Sequence, residues 1–234
     1  MKLNPALDLV SLSANYRERQ RLQVHDFLVP EAADRIYRCL VEETPWGLIY
    51  NEGEKIVKLG KPEFAALPPQ EKQRLMIAAL QRARKGFQFI YHQYPMVEYY
   101  LEKRNPTLFL NQVLEFLNTP EILDFARAVT GIATMVKAGA QATLYAPGHF
   151  LTYHDDAPAQ NRRVAYVLSL TKDWHPDWGG LLQFYDRNRA ITDIFMPRFN
   201  ALSLFTVPQY HAVTFVPPYA PIGRYSITGW FLYP

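Results

Sequence analysis

The sequence predicts an α+β fold in which N-terminal helices support an antiparallel, two-sheet jelly roll or barrel. The chain has 234 residues, which fits one structural domain. Apolar residues in the N-terminal region, residues 1–132, recur mainly at helical spacing, whereas the C-terminal region, residues 133–234, consists of short apolar runs separated by turn residues. We therefore expect a mainly helical N-terminal region that packs on a strand-rich C-terminal core.

Proline marks the first turn of four predicted helices in the N-terminal region, since its fixed φ and missing N–H suit that position. The predicted starts are Pro30, Pro69, Pro106 and Pro120. The last of these helices should end at Gly131. Between the first two, residues 47–58 have the pattern of a β-hairpin. The aromatic-rich segment 87–100 fits either a core strand with a loop or a loop that covers a substrate.

About eight short strands are expected after residue 133, and this number suggests a jelly roll or barrel. The predicted strands are 134–138, 140–145, 150–154, 163–170, 181–185, 201–206, 211–215 and 224–232. Glycine- and proline-containing turns, such as Ala146-Pro147-Gly148, separate several of them.

The composition argues against several classes of protein. Forty-nine per cent of the residues are hydrophobic, which excludes a disordered chain, and the net charge of +3 gives no argument for direct nucleic-acid binding. We find no signal peptide and no membrane-spanning run. The one cysteine, Cys39, lies on a predicted apolar helix face and indicates a reducing compartment. We therefore expect a soluble, cytoplasmic protein.

A potential metal site lies at the end of the strand 150–154. Alternation along a strand would place His154 and Asp156 on one face and Asp155 on the other. His211, at the start of a later strand, could supply a third ligand. Two histidines and one carboxylate on one face suit iron(II) because they leave coordination positions open. A hydrogen-bonded histidine at a strand end is the structural alternative for His154.

Other histidines offer weaker alternatives to this set. His149 precedes the strand, and His92 lies in the N-terminal region. The pair His175-Pro176-Asp177 repeats the spacing of His154 and Asp156. We reject it as a ligand pair because Pro176 and the neighbouring glycines indicate a loop.

The last predicted strand contains a cation that points into the barrel. Tyr225, Ile227 and Phe231 form an apolar face that should pack on the helices, so Arg224 and Ser226 should face the interior. A buried charge without a partner is very costly, and the planar guanidinium suits a carboxylate. A carboxylate ligand or an internal salt bridge could compensate the charge of Arg224.

These motifs together resemble the 2-oxoglutarate/Fe(II) oxygenases of the prolyl 4-hydroxylase type, and more closely the branch of ribosomal prolyl hydroxylases and their bacterial relatives. The resemblance covers roughly residues 133–234, and Val24 to Leu28 match loosely. The matching segments are Tyr145 to Asp156, Arg163 to Trp174, Trp178 to Leu182, Asn200 to Leu204, His211 to Val213, and Arg224 to Phe231.

The resemblance implies a double-stranded β-helix with iron bound by His154, Asp156 and His211. It implies that Arg224 and Ser226 bind the distal carboxylate of 2-oxoglutarate and that Tyr145 contacts the same molecule; it assigns no catalytic residue beyond the metal site. Members often have a second tyrosine on the strand after the His-x-Asp motif. Here that position is Ser169, and Tyr166 should face the other side.

The implied activity is hydroxylation of a prolyl residue in a protein, with Fe(II), 2-oxoglutarate and O2, and with ascorbate as an optional addition. Succinate and CO2 would be released. A ribosomal or translation protein is a candidate substrate. Two other functions stay open at this point: a metal-containing jelly-roll binding protein without oxygenase activity, and a zinc hydrolase, for which no general-base glutamate lies near the ligands.

Overall fold

In the computed structural model, which describes residues 1–156 and 161–234, twelve antiparallel strands form one nearly closed, barrel-like sheet. The strands are β1 Arg21–Val24, β2 Gly47–Glu52, β3 Lys55–Leu59, β4 Phe89–Tyr94, β5 Lys137–Tyr145, β6 Phe150–His154, β7 Arg162–Ser169, β8 Leu182–Tyr185, β9 Ile191–Phe195, β10 Ala201–Thr206, β11 His211–Val213 and β12 Arg224–Leu232. The main path through the sheet is β1-β10-β7-β12-β5-β4-β6-β11-β8-β9. β2 joins this path by pairing with β4, and β3 pairs with β2. The expected jelly-roll core is therefore present.

Seven α-helices in the described residues precede the C-terminal strands. They are α1 Leu9–Arg19, α2 Pro30–Arg38, α3 Lys61–Ala66, α4 Pro69–Ala83, α5 Met96–Leu101, α6 Leu110–Leu117 and α7 Pro120–Thr130. Proline stands in the first turn of α2, α3, α4 and α7, and Gly131 ends α7 with a left-handed φ of 73°. None of the helices described has the length and apolar composition needed to cross a membrane.

The helix expected to begin at Pro106 begins at Leu110 instead, so its predicted start was wrong. Asn105 has a left-handed φ of 47°, and the backbone N–H of Leu108 donates to the Asn105 carbonyl. Asn111 Nδ2 donates to the carbonyls of Asn105 and Pro106 at 3.0 and 3.2 Å. Pro106 therefore lies in a turn that side-chain hydrogen bonds hold, and α6 starts four residues later.

Strands from the N-terminal region belong to the same sheet as the C-terminal strands. The hairpin of β2 and β3 is confirmed, with Asn51 opposite Ile56. β4 lies between β5 and β6, and β1 pairs with the edge of β10. Residues 137–145 form the single strand β5, which joins the runs predicted as 134–138 and 140–145 and leaves 134–136 outside the strand, and β9 was not predicted. The region 1–132 therefore contributes four strands as well as helices.

The main core lies between the helices and one face of β5, β7, β10 and β12. Ile227 and Phe231 of β12 are buried there, together with Leu168 of β7 and Leu204 of β10. Tyr225 packs at its edge against Tyr37 of α2, with ring centroids 6.3 Å apart. The apolar face expected for the last strand is thus used as predicted, and its other face is turned into the barrel.

Asn200, at the turn before β10, connects the segment of Phe27 and Leu28 to the barrel by hydrogen bonds. Its Nδ2 donates to the Leu28 carbonyl at 2.7 Å, and its Oδ1 accepts from the Leu28 N–H at 2.9 Å. The Asn200 carbonyl also accepts from the Phe27 N–H. Asn200 has a φ of 55°, a conformation that asparagine tolerates better than most residues.

We expect Asn200→Ala to lower the free energy of unfolding by about 2–4 kcal/mol, because it leaves two buried backbone groups without partners. Urea denaturation followed by circular dichroism measures this change. Asn188→Ala is the matched control, since Asn188 is exposed. Equal urea midpoints for Asn200→Ala and the wild type would contradict the prediction.

Candidate functional site

His154, Asp156 and His211 form a compact cluster of potential metal ligands. His154 ends β6 and His211 begins β11, and the two residues lie opposite each other in the paired strands. Asp156 Oδ1 is 3.4 Å from His154 Nε2, and Asp156 Oδ2 is 3.7 Å from His211 Nε2. One ligand atom from each residue lies within 4.8 Å of the others. All three can therefore bind one metal ion.

Backbone carbonyls fix the tautomer of both histidines. His154 Nδ1 lies 2.9 Å from the carbonyl oxygen of Thr152, and His211 Nδ1 lies 2.7 Å from that of Gln209. A carbonyl oxygen can only accept a hydrogen bond, so each Nδ1 must carry the hydrogen. Each Nε2 therefore keeps a lone pair on the side of Asp156, which is the form in which imidazole binds a metal.

The charges of the cluster suit a divalent cation. Burial, followed by the proximity of His154, lowers the pKa of His211 to about 4 and keeps this ring neutral at neutral pH. Burial raises the pKa of Asp156, but His154 and His211, which become protonated at low pH, outweigh this effect and lower the pKa to about 2. Asp156 is therefore a carboxylate, and the donor set of imidazole nitrogens and one carboxylate fits iron(II).

The backbone at Asp156 differs from the expectation. β6 ends at His154, and Asp156 has a left-handed φ of 58°. Strand alternation is therefore not the reason why Asp156 faces His154; a turn of the backbone after the strand brings the carboxylate there. The carboxylate is held by the indole of Trp230, whose Nε1 donates to Asp156 Oδ2 at 3.0 Å.

The other histidines considered from the sequence lie outside this cluster. His175 precedes a short 3-10 turn and Asp177 lies within it, and their side chains are 58% and 77% exposed. His92 and His149 contact each other, with ring centroids 4.8 Å apart. None of these four residues belongs to the described group that could hold a metal.

Arg224 is a buried cation without an anionic partner among the described residues. It is 2% exposed, and its Nε has no hydrogen-bond partner there. No ion pair to it is found in residues 1–156 and 161–234, so the alternative of an internal salt bridge has no support in that range. Burial lowers its pKa to about 10, which still leaves the guanidinium charged at neutral pH. Such a charge requires an anion.

Hydroxyl groups from neighbouring strands surround Arg224. Ser226, two residues along β12, is fully buried, and its Oγ lies 2.8 Å from Thr143 Oγ1 on β5. Ser169 on β7 lies opposite Ser226, and its buried Oγ has no hydrogen-bond partner among the described residues. Tyr145 lies opposite Arg224 across β5 and β12. Arg224 thus has Tyr145 opposite it on β5 and Ser226 two residues along β12.

A cavity of about 370 Å³ connects the potential metal ligands with Arg224. This volume lies within the usual range for small-molecule sites. The cavity also has an apolar wall, formed by Phe89, Leu151, Leu182, Phe205 and Val213. The arrangement can hold a metal ion and an anion in one cavity.

Several cavity residues were not predicted from the sequence. Tyr91 of β4 stacks on Tyr145, with ring centroids 4.9 Å apart and an angle of 25° between the rings. Trp230 and Gln141 also line the cavity. The aromatic richness of the segment 87–100 was the available signal for Tyr91. That segment contains the core strand β4, while Phe87, just before it, lines the cavity and is 48% exposed.

The side chain of Tyr166 packs in the main core, on the side that alternation from Ser169 predicted, although the residue also borders the cavity. It is buried there, and its hydroxyl donates to the Gly139 carbonyl at 2.9 Å. It therefore does not replace a second cavity tyrosine on β7. Tyr91, from a strand outside the C-terminal region, is the tyrosine that stands beside Tyr145 instead.

Part of the C-terminal region is similar to known proteins. Residues 140–232 match the model of the 2OG-Fe(II) oxygenase superfamily. The chain is 35% identical over 91 residues to prolyl 3-hydroxylase OGFOD1 of Mus musculus; the match covers 36% of this chain and 16% of that protein. The chain therefore matches only a small portion of this relative.

Solved structures share the fold across nearly the whole chain. A prolyl-4-hydroxylase from Pseudomonas putida has a TM-score of 0.55 at 18% identity, and the match covers 97% of this chain and 99% of that one. An oxidoreductase of the 2OG-Fe(II) oxygenase family from Burkholderia pseudomallei has a TM-score of 0.60 at 14% identity, covering 98% and 92%.

A prolyl hydroxylase from Trichoplax adhaerens, in complex with a peptide fragment of the hypoxia inducible factor oxygen degradation domain, has a TM-score of 0.55 at 15% identity. The match covers 96% of this chain and 89% of that one. At these identities the solved structures support the fold alone. The cluster of His154, Asp156 and His211 lies within residues 140–232, the part of the chain that matches the model of the 2OG-Fe(II) oxygenase superfamily.

Proposed function

We propose that this chain is a 2-oxoglutarate- and Fe(II)-dependent dioxygenase that hydroxylates a prolyl residue of a protein or peptide. The observation that carries the proposal is one cavity that holds both the cluster of His154, Asp156 and His211 and the buried cation Arg224, which has no anionic partner among the described residues. A protein that only bound a metal would have no need for the buried arginine. The prolyl substrate is supported by relatives named as prolyl 3- and 4-hydroxylases.

His154, Asp156 and His211 would hold the iron. Their nitrogen and carboxylate donors fit it, and three protein ligands leave other coordination positions for small molecules. Iron(II) and 2-oxoglutarate together would supply the oxidation in which O2 yields a hydroxylated product, succinate and CO2. The protein's own contribution is to bind, orient and exclude water.

Arg224 would bind the distal carboxylate of 2-oxoglutarate, because a buried guanidinium and a carboxylate compensate each other's charge. Ser226 lies on the same strand as Arg224, and Ser169 lies on the neighbouring strand β7. The Oγ atoms of both could add hydrogen bonds. Burial raises the pKa of the Tyr145 hydroxyl well above its ordinary value, so this group keeps its proton and can donate to an anionic ligand.

The proposed partner is a protein or peptide, and a ribosomal or translation protein is one candidate. The chain's low net charge of +3 agrees with a substrate other than nucleic acid. We also propose a cytoplasmic location, which the single, buried thiol of Cys39 supports. Ascorbate would serve as an optional reductant.

We expect Arg224→Ala to weaken binding of 2-oxoglutarate by roughly a hundredfold or more, since loss of one partner of a buried charge pair costs about 3–5 kcal/mol. Calorimetry in the presence of Co(II), as a stable substitute for iron, measures this affinity. Affinity for Co(II) itself should stay the same. Arg187→Ala, in an exposed segment, is the control. Unchanged 2-oxoglutarate affinity in Arg224→Ala would favour a metal-binding protein without oxygenase activity.

His211→Ala should lower the affinity for Co(II) by more than about a hundredfold, because even the loss of a residue that only supports a ligand costs roughly 10–100-fold. His175→Ala is the matched control, since His175 belongs to the exposed His-Pro-Asp motif. Equilibrium dialysis with metal analysis measures both variants. If His175→Ala lost the metal and His211→Ala kept it, the assignment of the site would be wrong.

Cells that contain the protein should carry a prolyl hydroxylation that cells without it lack. Comparison of their proteins by mass spectrometry would reveal peptides heavier by one oxygen atom, and tandem spectra would locate it. His211→Ala protein should not restore the modification. The purified protein should also form succinate from 2-oxoglutarate with Fe(II) and O2, and failure to form any succinate, with or without peptide, would refute the proposal.

A further inference from the structure

Trp230 connects the last strand of the barrel to the potential metal ligand Asp156. The indole Nε1 donates a hydrogen bond of 3.0 Å to Asp156 Oδ2. The same oxygen lies 3.7 Å from His211 Nε2. Indole has one donor and no acceptor, so its N–H must bind an acceptor. Here that acceptor is the Asp156 carboxylate oxygen, which the contact holds on one side of the site. Within the described residues, it is the one hydrogen bond to this carboxylate from a group that is not itself a potential ligand.

Asp156 has a particular need for such support. It lies beyond the end of β6 and has a left-handed φ of 58°, so ladder hydrogen bonds do not fix its position. The two histidines, by contrast, belong to paired strands, and each has its Nδ1 fixed by a backbone carbonyl. The carboxylate is therefore the ligand whose orientation depends most on a neighbouring side chain.

Trp230 is itself well placed to give this support. β12 lies between β5 and β7, and the residues opposite Trp230 are Gly139 and Ala165. These small residues leave space for the indole on the cavity side of the sheet. The guanidinium of Arg162 stacks on the ring at 3.7 Å from its centroid. The indole is thus held from several sides independently of Asp156.

We infer that Trp230 is a positioning residue that orients the Asp156 carboxylate for metal binding through its indole N–H. The inference rests on the proposed function, since it assumes that His154, Asp156 and His211 bind iron. It adds that β12 supports both halves of the site: Arg224 faces the anion, and Trp230, on the same face of the strand, holds the metal ligand.

The test compares Trp230→Phe with Trp46→Phe, which loses an indole hydrogen bond of the same length to the Leu40 carbonyl. Binding of Co(II), followed by calorimetry and by its visible absorption, is the readout. We expect the dissociation constant for Co(II) to rise roughly 10–100-fold in Trp230→Phe, the usual effect of losing a group that orients a ligand. Trp46→Phe should bind Co(II) like the wild type.

A second replacement at position 230 distinguishes loss of the indole N–H from a general effect on folding. In 3-benzothienylalanine, sulfur replaces the indole N–H while the size and shape of the ring are kept. Incorporated at position 230, it should weaken Co(II) binding as Trp230→Phe does, with the melting temperature of the metal-free protein unchanged. At saturating Co(II), affinity for 2-oxoglutarate should stay the same, because Arg224 is intact.

The outcomes separate this inference from the proposed function. If the wild-type protein binds Co(II) and 2-oxoglutarate and both replacements at position 230 bind Co(II) equally well, the role of Trp230 is refuted while the proposed function stands. If the wild type binds neither, the proposed function fails, and the role of Trp230 fails with it. Equal losses in Trp230→Phe and Trp46→Phe would indicate a general structural effect and would also refute the inference.

Discussion

The buried charge of Arg224 is the constraint on which the site and much of the fold depend. A guanidinium that is nearly inaccessible to water must be held by its strand and compensated by an anion, since its isolated burial is very unfavourable. The apolar face of β12 makes this possible. Ile227 and Phe231 are buried against the helices, and this packing offsets some of the cost of placing a cation on the opposite face.

The cavity owes its chemistry to strands that are far apart in the sequence. β5 and β7, the two neighbours of β12, contribute Tyr145 and Ser169, while β6 and β11 carry the histidines. Each group is fixed by backbone pairing before any ligand is present. The low polarity of the walls strengthens every electrostatic contact inside, so a few polar groups suffice for recognition of a small dianion.

Sequence reasoning succeeded where local pattern determines structure. The strand runs, the proline-started helices and the interior position of Arg224 all follow from side-chain periodicity and backbone chemistry. It was less successful where the structure depends on contacts between residues that are far apart in the sequence. The placement of β4 between β5 and β6 depends on pairing across about fifty residues. The contacts of Tyr91 and of Trp230 depend on that assembled geometry, and the turn at Asp156 departs from regular strand structure altogether.

The pairing of β1 with β10 joins segments about 180 residues apart in the chain. During synthesis, β1 leaves the ribosome long before its partner exists, so this edge of the sheet closes only after β10 has been made. Until then the apolar N-terminal segment around Phe27 lacks the surface that covers it, including the Asn200 contacts. The edge of β1 therefore stays unpaired until the roughly 180 residues that separate it from β10 have been synthesised.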